Sequence, residues 1–209
     1  MKKGEGEYPP GLLDLRDGPP LLYVRGVLPR EGIAIVGSRT PPGEAERFAF
    51  ELASRASAPV ISGLALGVDT AAHRGALSTG IATVAYVGHG FGETYPPQNA
   101  GLEREIAECG GAVATERPPG ARVAKWTLVK RDRLQAAHAR AVVLIASDEE
   151  GGAMHTVAFA RALGRPVFAV VPPAQSQGSP QWGGNVRALA EGAQALTLDD
   201  VDEALQVIG

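Results

Sequence analysis

The sequence predicts an α/β protein built on a doubly wound, mostly parallel sheet with helices on both faces. Three observations predict it. From Gly32 onward, short runs of β-branched and apolar residues alternate with helical stretches. Most of these runs are continuously apolar rather than alternating, as expected of strands covered on both faces by helices. Gly37, Gly63 and Gly88 close three of the runs, where the chain must turn from strand toward helix. In sheets of this kind, ligands bind at the carboxyl ends of the strands, near the point where strand order reverses.

The expected strands are Ile33–Val36, Val60–Ser62, Thr83–Val87, Ala112–Thr115, Ala141–Ile145 and Pro166–Val170. The expected helices are Gly43–Ser57, Val68–Ser78, Asn99–Cys109, Lys130–Ala139, Ala153–Leu163, Asn185–Glu191 and Asp199–Val207. Residues 1–31 are rich in Pro and Gly around one apolar patch, Leu21–Val24. They read as an N-terminal extension packed on a main domain of residues 32–209. The Pro, Gly, Ser and Gln of Pro172–Gly184 read as a long mobile loop and a candidate lid. No period repeats, which argues against a solenoid.

Composition narrows the class. At 209 residues, 44% hydrophobic and 21% charged, the chain can bury a real core as one domain. The single cysteine, Cys109, excludes an intramolecular disulfide and a multi-cysteine zinc site; its place at the end of a helical stretch predicts partial burial. No apolar run approaches about 18 residues, and the first ten residues lack an apolar signal core, so a cytoplasmic location is expected, with no membrane contact. His73, His89, His138 and His155 show no metal-ligand spacing, and no metal or cofactor is expected. Neither a P-loop nor a GxGxxG fingerprint is present. The net charge of −3 argues against a protein that coats DNA nonspecifically. The charge is uneven, however. Between Glu116 and Arg140, seven basic residues (Arg117, Arg122, Lys125, Lys130, Arg131, Arg133 and Arg140) face only Glu116 and Asp132, and local charge decides whether a phosphate chain can dock.

Two segments carry the candidate chemistry. Gly32–Arg39 (GIAIVGSR) and Pro59–Leu77 (PVISGLALGVDTAAHRGAL) are strand–glycine–helix junctions, which aim backbone N–H groups at one spot and suit an anion such as a phosphate. In the first, Gly37 and Ser38 would form the nest and Arg39 would fork onto phosphate oxygens. In the second, Gly63 and Gly67 would let a backbone approach closely. Asp69 and His73, four apart, read either as an acid–base pair or as a capping carboxylate with a structural histidine; no nucleophile or metal partner supports the first. Asn99 reads as a helix N-cap and Tyr95 as a base-stacking or edge-covering ring. Gly151–Thr156 is a further amide-rich helix start behind an acidic turn.

At these motifs the sequence resembles the DprA/Smf family (DNA-processing protein A). The resemblance runs from residue 8 to about residue 193. It takes in Tyr8-Pro9, Pro20–Gly26, Gly37-Ser38-Arg39, Ser62–Leu77, Tyr95-Pro96, Asn99, Glu116, Arg131, Arg133, Gly164–Val170, Gly184-Asn185 and Gly192-Ala193. The Ser62–Leu77 block is the most specific of these. The resemblance implies an extended Rossmann-like domain, without catalysis, that binds single-stranded DNA and presents it to the RecA recombinase in natural transformation and recombination, usually as a homodimer. It places Arg39, Lys130, Arg131 and Arg133 along the DNA pocket. The family's FPxRNR stretch is here Leu128–Arg133, with Asp132 in place of asparagine; its VEA turn is Ile145–Ser147, and its SGS turn is Gly151–Ala153. The chain's end soon after the Rossmann-like part predicts a short or diverged member. The competing readings are a nucleotide-binding sensor and an enzyme like the LOG phosphoribohydrolases, which cleave nucleoside monophosphates. Gly151-Gly152 is loosely similar to the LOG turn PGGxGTxxE, but the position of its final glutamate is Phe159, and a hydrolase needs that carboxylate for acid–base work.

Overall fold

The apolar runs that end in glycine form the middle of one eight-stranded sheet in the computed structural model, which describes residues 1–3 and 8–209. Residues 4–7 of the expected N-terminal extension lie outside the described residues. The strands are β1 (Tyr23–Gly26), β2 (Gly32–Val36), β3 (Val60–Ser62), β4 (Thr83–Tyr86), β5 (Ala112–Thr115), β6 (Ala139–Leu144), β7 (Val167–Val170) and β8 (Gln194–Leu196). The helices are α1 (Gly43–Ser54), α2 (Val68–Ser78), α3 (Ala100–Glu108), α4 (Lys125–His138), α5 (Ala153–Ala162), α6 (Gly183–Ala190) and α7 (Val201–Ile208).

Spatial order across the sheet is β1-β5-β4-β3-β2-β6-β7-β8. Every pairing is parallel except β1 with β5. The chain winds outward from β2 through β3 and β4 to β5. It then returns along α4 to lay β6 on the other side of β2. Strand order therefore reverses between β2 and β6, the place where a doubly wound sheet opens a crevice.

β2 shows why the runs are continuously apolar. All five of its residues are buried. Ile33 and Ile35 join the core under α1, α2 and α7, with Phe48, Leu52 and Val68. Ala34 and Val36 point the other way, into the core under α4, α5 and α6, with Leu134, Val157 and Ala188. Side chains alternate across a strand, so a strand sandwiched between helix layers must be apolar at every position.

Two strands differ from expectation. β1 lies within the segment read as an extension and pairs Tyr23–Gly26 with Ala112–Thr115. Tyr8, Leu12, Leu15 and Leu22 from the same segment are buried in the core beneath α4 and α5. β8 is three residues long, and two of them are exposed, so it carries no apolar signature. α4 begins at Lys125, five residues before the expected start, because the Thr127 hydroxyl accepts from the Ala124 N–H at 3.0 Å and holds the first turn. Cys109 is exposed rather than partly buried.

The Pro172–Gly184 segment is not a free lid. It forms two short 3-10 turns, Ala174–Ser176 and Pro180–Trp182. Trp182 is 1% exposed and belongs to the core under α1 and α2. The composition of the loop masked the one large apolar anchor within it.

At the reversal point the strand ends are tied by one side chain. Asn185, in the first turn of α6 and fully buried, donates through Nδ2 to the carbonyls of Leu144 (3.3 Å), Ile145 (2.9 Å) and Val170 (2.9 Å). Its Oδ1 accepts from the Ser147 N–H at 3.0 Å. Replacing it orphans several buried backbone groups at once. Asn185→Ala should lower stability by about 3 kcal/mol, read as a shift in the urea midpoint; a midpoint unchanged from the parent protein would show that the clamp is dispensable.

Candidate functional site

The crevice between β2 and β6 is a cleft of about 700 Å³. Its floor is the Val36–Thr40 turn and one face of α4: Lys125, Leu128, Val129, Arg131, Asp132 and Gln135. Ser147, Asp148 and the Gly151–Thr156 start of α5 form one wall, and Ala65, Asp69 and Tyr95 the other.

The first junction lies in the cleft as expected. Gly37, Ser38 and Arg39 all line it. The Ser38 N–H is committed to the Ala146 carbonyl at 2.7 Å, and the Ser38 Oγ accepts from the Thr40 N–H at 3.1 Å. That leaves the hydroxyl proton of Ser38 uncommitted. Arg39 is exposed and has no carboxylate within ion-pairing distance among the described residues. Gly67, at φ +72°, braces this turn from behind. A Cβ there would meet the Ser38 carbonyl at 2.5 Å and backbone of Arg39 at 2.7 Å, so only glycine lets the second junction pack against the first.

The second junction is already filled. The amides of Gly63 and Ala65, which the sequence offers to a phosphate, donate to the Asp69 Oδ2 at 3.1 and 3.2 Å. Asp69 is thus the anion that this nest holds. It does not pair with His73, whose Nδ1 meets the Thr83 hydroxyl at 2.7 Å. Burial, with Arg131 nearby, pushes His73 down to about 3, which keeps the imidazole neutral at pH 7. Asn99 precedes α3 without capping it. Its Nδ2 instead donates to the Leu64 carbonyl at 2.8 Å and to the Thr70 hydroxyl at 2.9 Å, shaping the loop over the second junction.

The other three basic candidates sort by their partners. Arg131 is 6% exposed; its guanidinium lies against Gly63, where a Cβ would stand 1.4 Å from Nη1. Nη1 donates to the Tyr86 carbonyl at 3.0 Å, and Nε lies 3.2 Å from Asp132 Oδ1. Arg133 is 3% exposed on another face of α4, outside the cleft lining, and bonds Asp17 and Glu116, each at 2.9 Å. Lys130 also lies outside the lining and reaches Glu116 at 3.6 Å. Helical geometry separates them. Residues 125, 128, 132 and 135 share one face, while 130 and 133 project elsewhere. The charge run is real, but only Lys125 and Arg131 from it line the cleft.

Sequence reasoning missed Lys125, Gln135 and Ser147 as lining residues and left His155 and Asp148 only as flanks of a motif. The 3–4–3 spacing from Lys125 to Gln135 would have pointed to that face had the start of α4 been legible. Asp132 is the notable resident. Burial pushes its carboxyl up to about 7, raised further by Asp69 and opposed by Arg131 and Arg39. Its Oδ1 accepts from Gln135 Nε2 at 3.0 Å.

A family model described as DNA recombination-mediator protein A matches residues 1–208. Over 187 residues the chain is 41% identical to a Mycobacterium tuberculosis protein named for DNA processing protein DprA, covering 88% of this chain and 47% of that one. The chain spans between 44% and 68% of the length of the curated relatives it matches. The structure of DNA processing protein A from Streptococcus pneumoniae superimposes with a TM-score of 0.82 at 29% identity, covering 94% of this chain and 70% of that one. A structure of DNA processing protein A from Helicobacter pylori, described for its single-stranded DNA binding mode, gives the same TM-score at 25% identity, covering 96% and 92%. The α/β fold with its mostly parallel sheet is therefore the one these neighbours share.

Two outcomes test the site's construction. Gly63→Ala should displace the Arg131 guanidinium and strip Asp69 of its nearby cation, at a cost on the order of 3 kcal/mol; a urea midpoint equal to the parent's would overturn that packing. For Asp132 the sign is set by the raised pKa: the native state holds the proton more tightly than the unfolded chain, so stability falls as pH rises toward about 7. Asp132→Asn should therefore gain on the parent protein by up to about 1.4 kcal/mol per pH unit between about pH 4 and 7, then level off. Denaturation at several pH values measures the difference directly.

Proposed function

The chain belongs to the DNA recombination-mediator protein A family, the DprA/Smf proteins, and from that premise we propose that its cleft holds single-stranded DNA by the phosphate backbone. One observation carries the reading: at the reversal point of the sheet, the unpaired Arg39, the free hydroxyl proton of Ser38 and Lys125 meet in one open cleft. Cations without internal partners can exchange their counterions for phosphates, which is the source of salt-dependent strand binding. The Helicobacter pylori protein of the same fold, matched over nearly its whole length, has a single-stranded DNA binding mode.

The residues divide their roles. Arg39 forks onto phosphate oxygens, and Ser38 donates beside it. Gly37 lines the cleft, while Gly63 seats the Arg131 guanidinium and Gly67 lets the second junction turn pack behind Ser38 and Arg39. Arg131 holds the floor and neutralises Asp69 and Asp132. Lys130 and Arg133, tied to Glu116, contribute to the field rather than to contact. The action we propose is binding without catalysis, in line with the family resemblance. The wider role is that of the family resemblance: presenting single strands to RecA in DNA uptake and recombination, as a homodimer in the cytoplasm. Among the described residues no helix is long and apolar enough to cross a membrane.

Fluorescence-anisotropy titration of labelled oligo-dT across a salt series tests the reading, with duplex DNA and a nucleoside monophosphate as competitors. Salt-sensitive binding displaced by single strands alone supports it. Displacement by the mononucleotide at equal concentration would transfer the cleft to a nucleotide sensor or hydrolase. Arg39→Ala should weaken binding to every sequence and reduce the salt slope by about 0.7, one phosphate's worth on a single strand. Asp132→Asn should bind more tightly than the parent at pH 8, where the carboxylate is charged, with the gap narrowing at pH 6, where it is largely neutral. Equal affinities at both values would remove Asp132 from the binding surface.

A further inference from the structure

Trp126 is 56% exposed, the most open aromatic side chain among the described residues. It follows Lys125, which lines the cleft, and projects from the first turn of α4 about 100° around the helix from it. The Arg117 guanidinium sits over its ring, 5.1 Å from the centroid. Arg117 is held there by its own strand end, where its N–H donates to the Thr115 hydroxyl at 3.1 Å. The loop that follows is pinned by Gly90 N–H to the Ala121 carbonyl and by Gly120 N–H to the Phe91 carbonyl, both at 2.8 Å. This fixes the loop that carries Arg122 into the first turn of α4.

The cations of this stretch carry no ion pair among the described residues. Arg117, Arg122 and Lys125 have no carboxylate within ion-pairing distance among the described residues, in contrast to Lys130, Arg131 and Arg133. Isolated exposed apolar residues are ordinary. A tryptophan with a guanidinium over its ring, next in sequence to a cation that lines the anion cleft, is a different combination, because it offers an aromatic surface and phosphate partners side by side.

We propose that Trp126, with Arg117, Arg122 and Lys125, forms a second subsite in which a base of the strand leaving the cleft stacks on the indole. The proposal rests on the single-strand reading of the cleft and extends it past the cleft's edge. Short strands occupy the cleft alone, and longer ones reach the indole.

The test is a series of oligo-dT lengths from about 4 to about 16 nucleotides, the span of single-strand grooves, read by anisotropy and by intrinsic tryptophan fluorescence. The chain has two tryptophans, and Trp182 is buried in the core, so quenching reports Trp126. Quenching should appear only above a threshold length. Trp126→Ala should lose about fivefold or more of the affinity for long strands and none for the shortest, while Trp126→Phe retains most of it. Arg39→Ala should weaken all lengths alike. Binding of long strands by Trp126→Ala as tightly as by the parent, without length-dependent quenching in the parent, would overturn the subsite and leave the cleft reading standing. Failure of the parent protein to bind any length would overturn both.

Discussion

The guanidinium of Arg131 lying flat on Gly63 is the contact on which the cleft depends. It joins α4 to the ends of β3 and β4 and supplies the positive charge that lets two buried carboxylates, Asp69 and Asp132, exist beside each other. Asp69 in turn holds the amides of Gly63 and Ala65 and shapes the turn that packs behind Ser38 and Arg39. A buried ion cluster of this kind is weak evidence for stability, since desolvation offsets much of the attraction. Its value here is geometric. Remove the methyl-free surface of Gly63 and the cation has no seat; remove the cation and two carboxylates lose the charge that balances them.

Under the proposed strand-binding reading, the same network explains how an acidic protein could present a surface to an acidic polymer. The net charge is −3, yet the sequence's basic run is split by α4 into committed and uncommitted members. Arg131 and Arg133 are spent inside, on Asp132, Asp17 and Glu116. Arg39, Lys125, Arg117 and Arg122 remain without carboxylate partners among the described residues; Arg39 and Lys125 line the cleft, and Arg117 sits over the Trp126 ring. The cleft lining sets Arg39, Lys125 and Arg131 beside Asp69, Asp132, Asp148 and Glu150, so the local arrangement of charge, rather than the net charge of the chain, governs how an anion fares there. Asp132 modulates the field from within, since its carboxyl is raised to about 7 by burial and its charge therefore varies near neutrality.

Much was legible in the residues alone. Runs such as Ile33–Val36 and Ala112–Thr115 declare themselves as sandwiched strands because both faces must be apolar, and that pattern is local. The turn at Gly37–Arg39 was legible for the same reason: a glycine closes a continuously apolar run. β1 was not, because Tyr23–Gly26 is an edge strand whose partners, Ala112–Thr115, lie far along the chain. The lid expectation for Pro172–Gly184 failed on one side chain, Trp182, whose burial depends on what packs around it.

The sequence by itself determined the α/β class, the glycine-closed strand ends and the cluster of basic residues, because hydrophobic period, turn chemistry and charge are local properties of the chain. Only the tertiary structure decided which donors were free. The amides of Gly63 and Ala65 and the guanidinium of Arg133 are equal in the sequence to any other anion-binding groups. Folding brings Asp69, Asp17 and Glu116 against them. Whether a charged group binds a ligand or its own protein is a property of long-range neighbours, which composition and spacing do not encode.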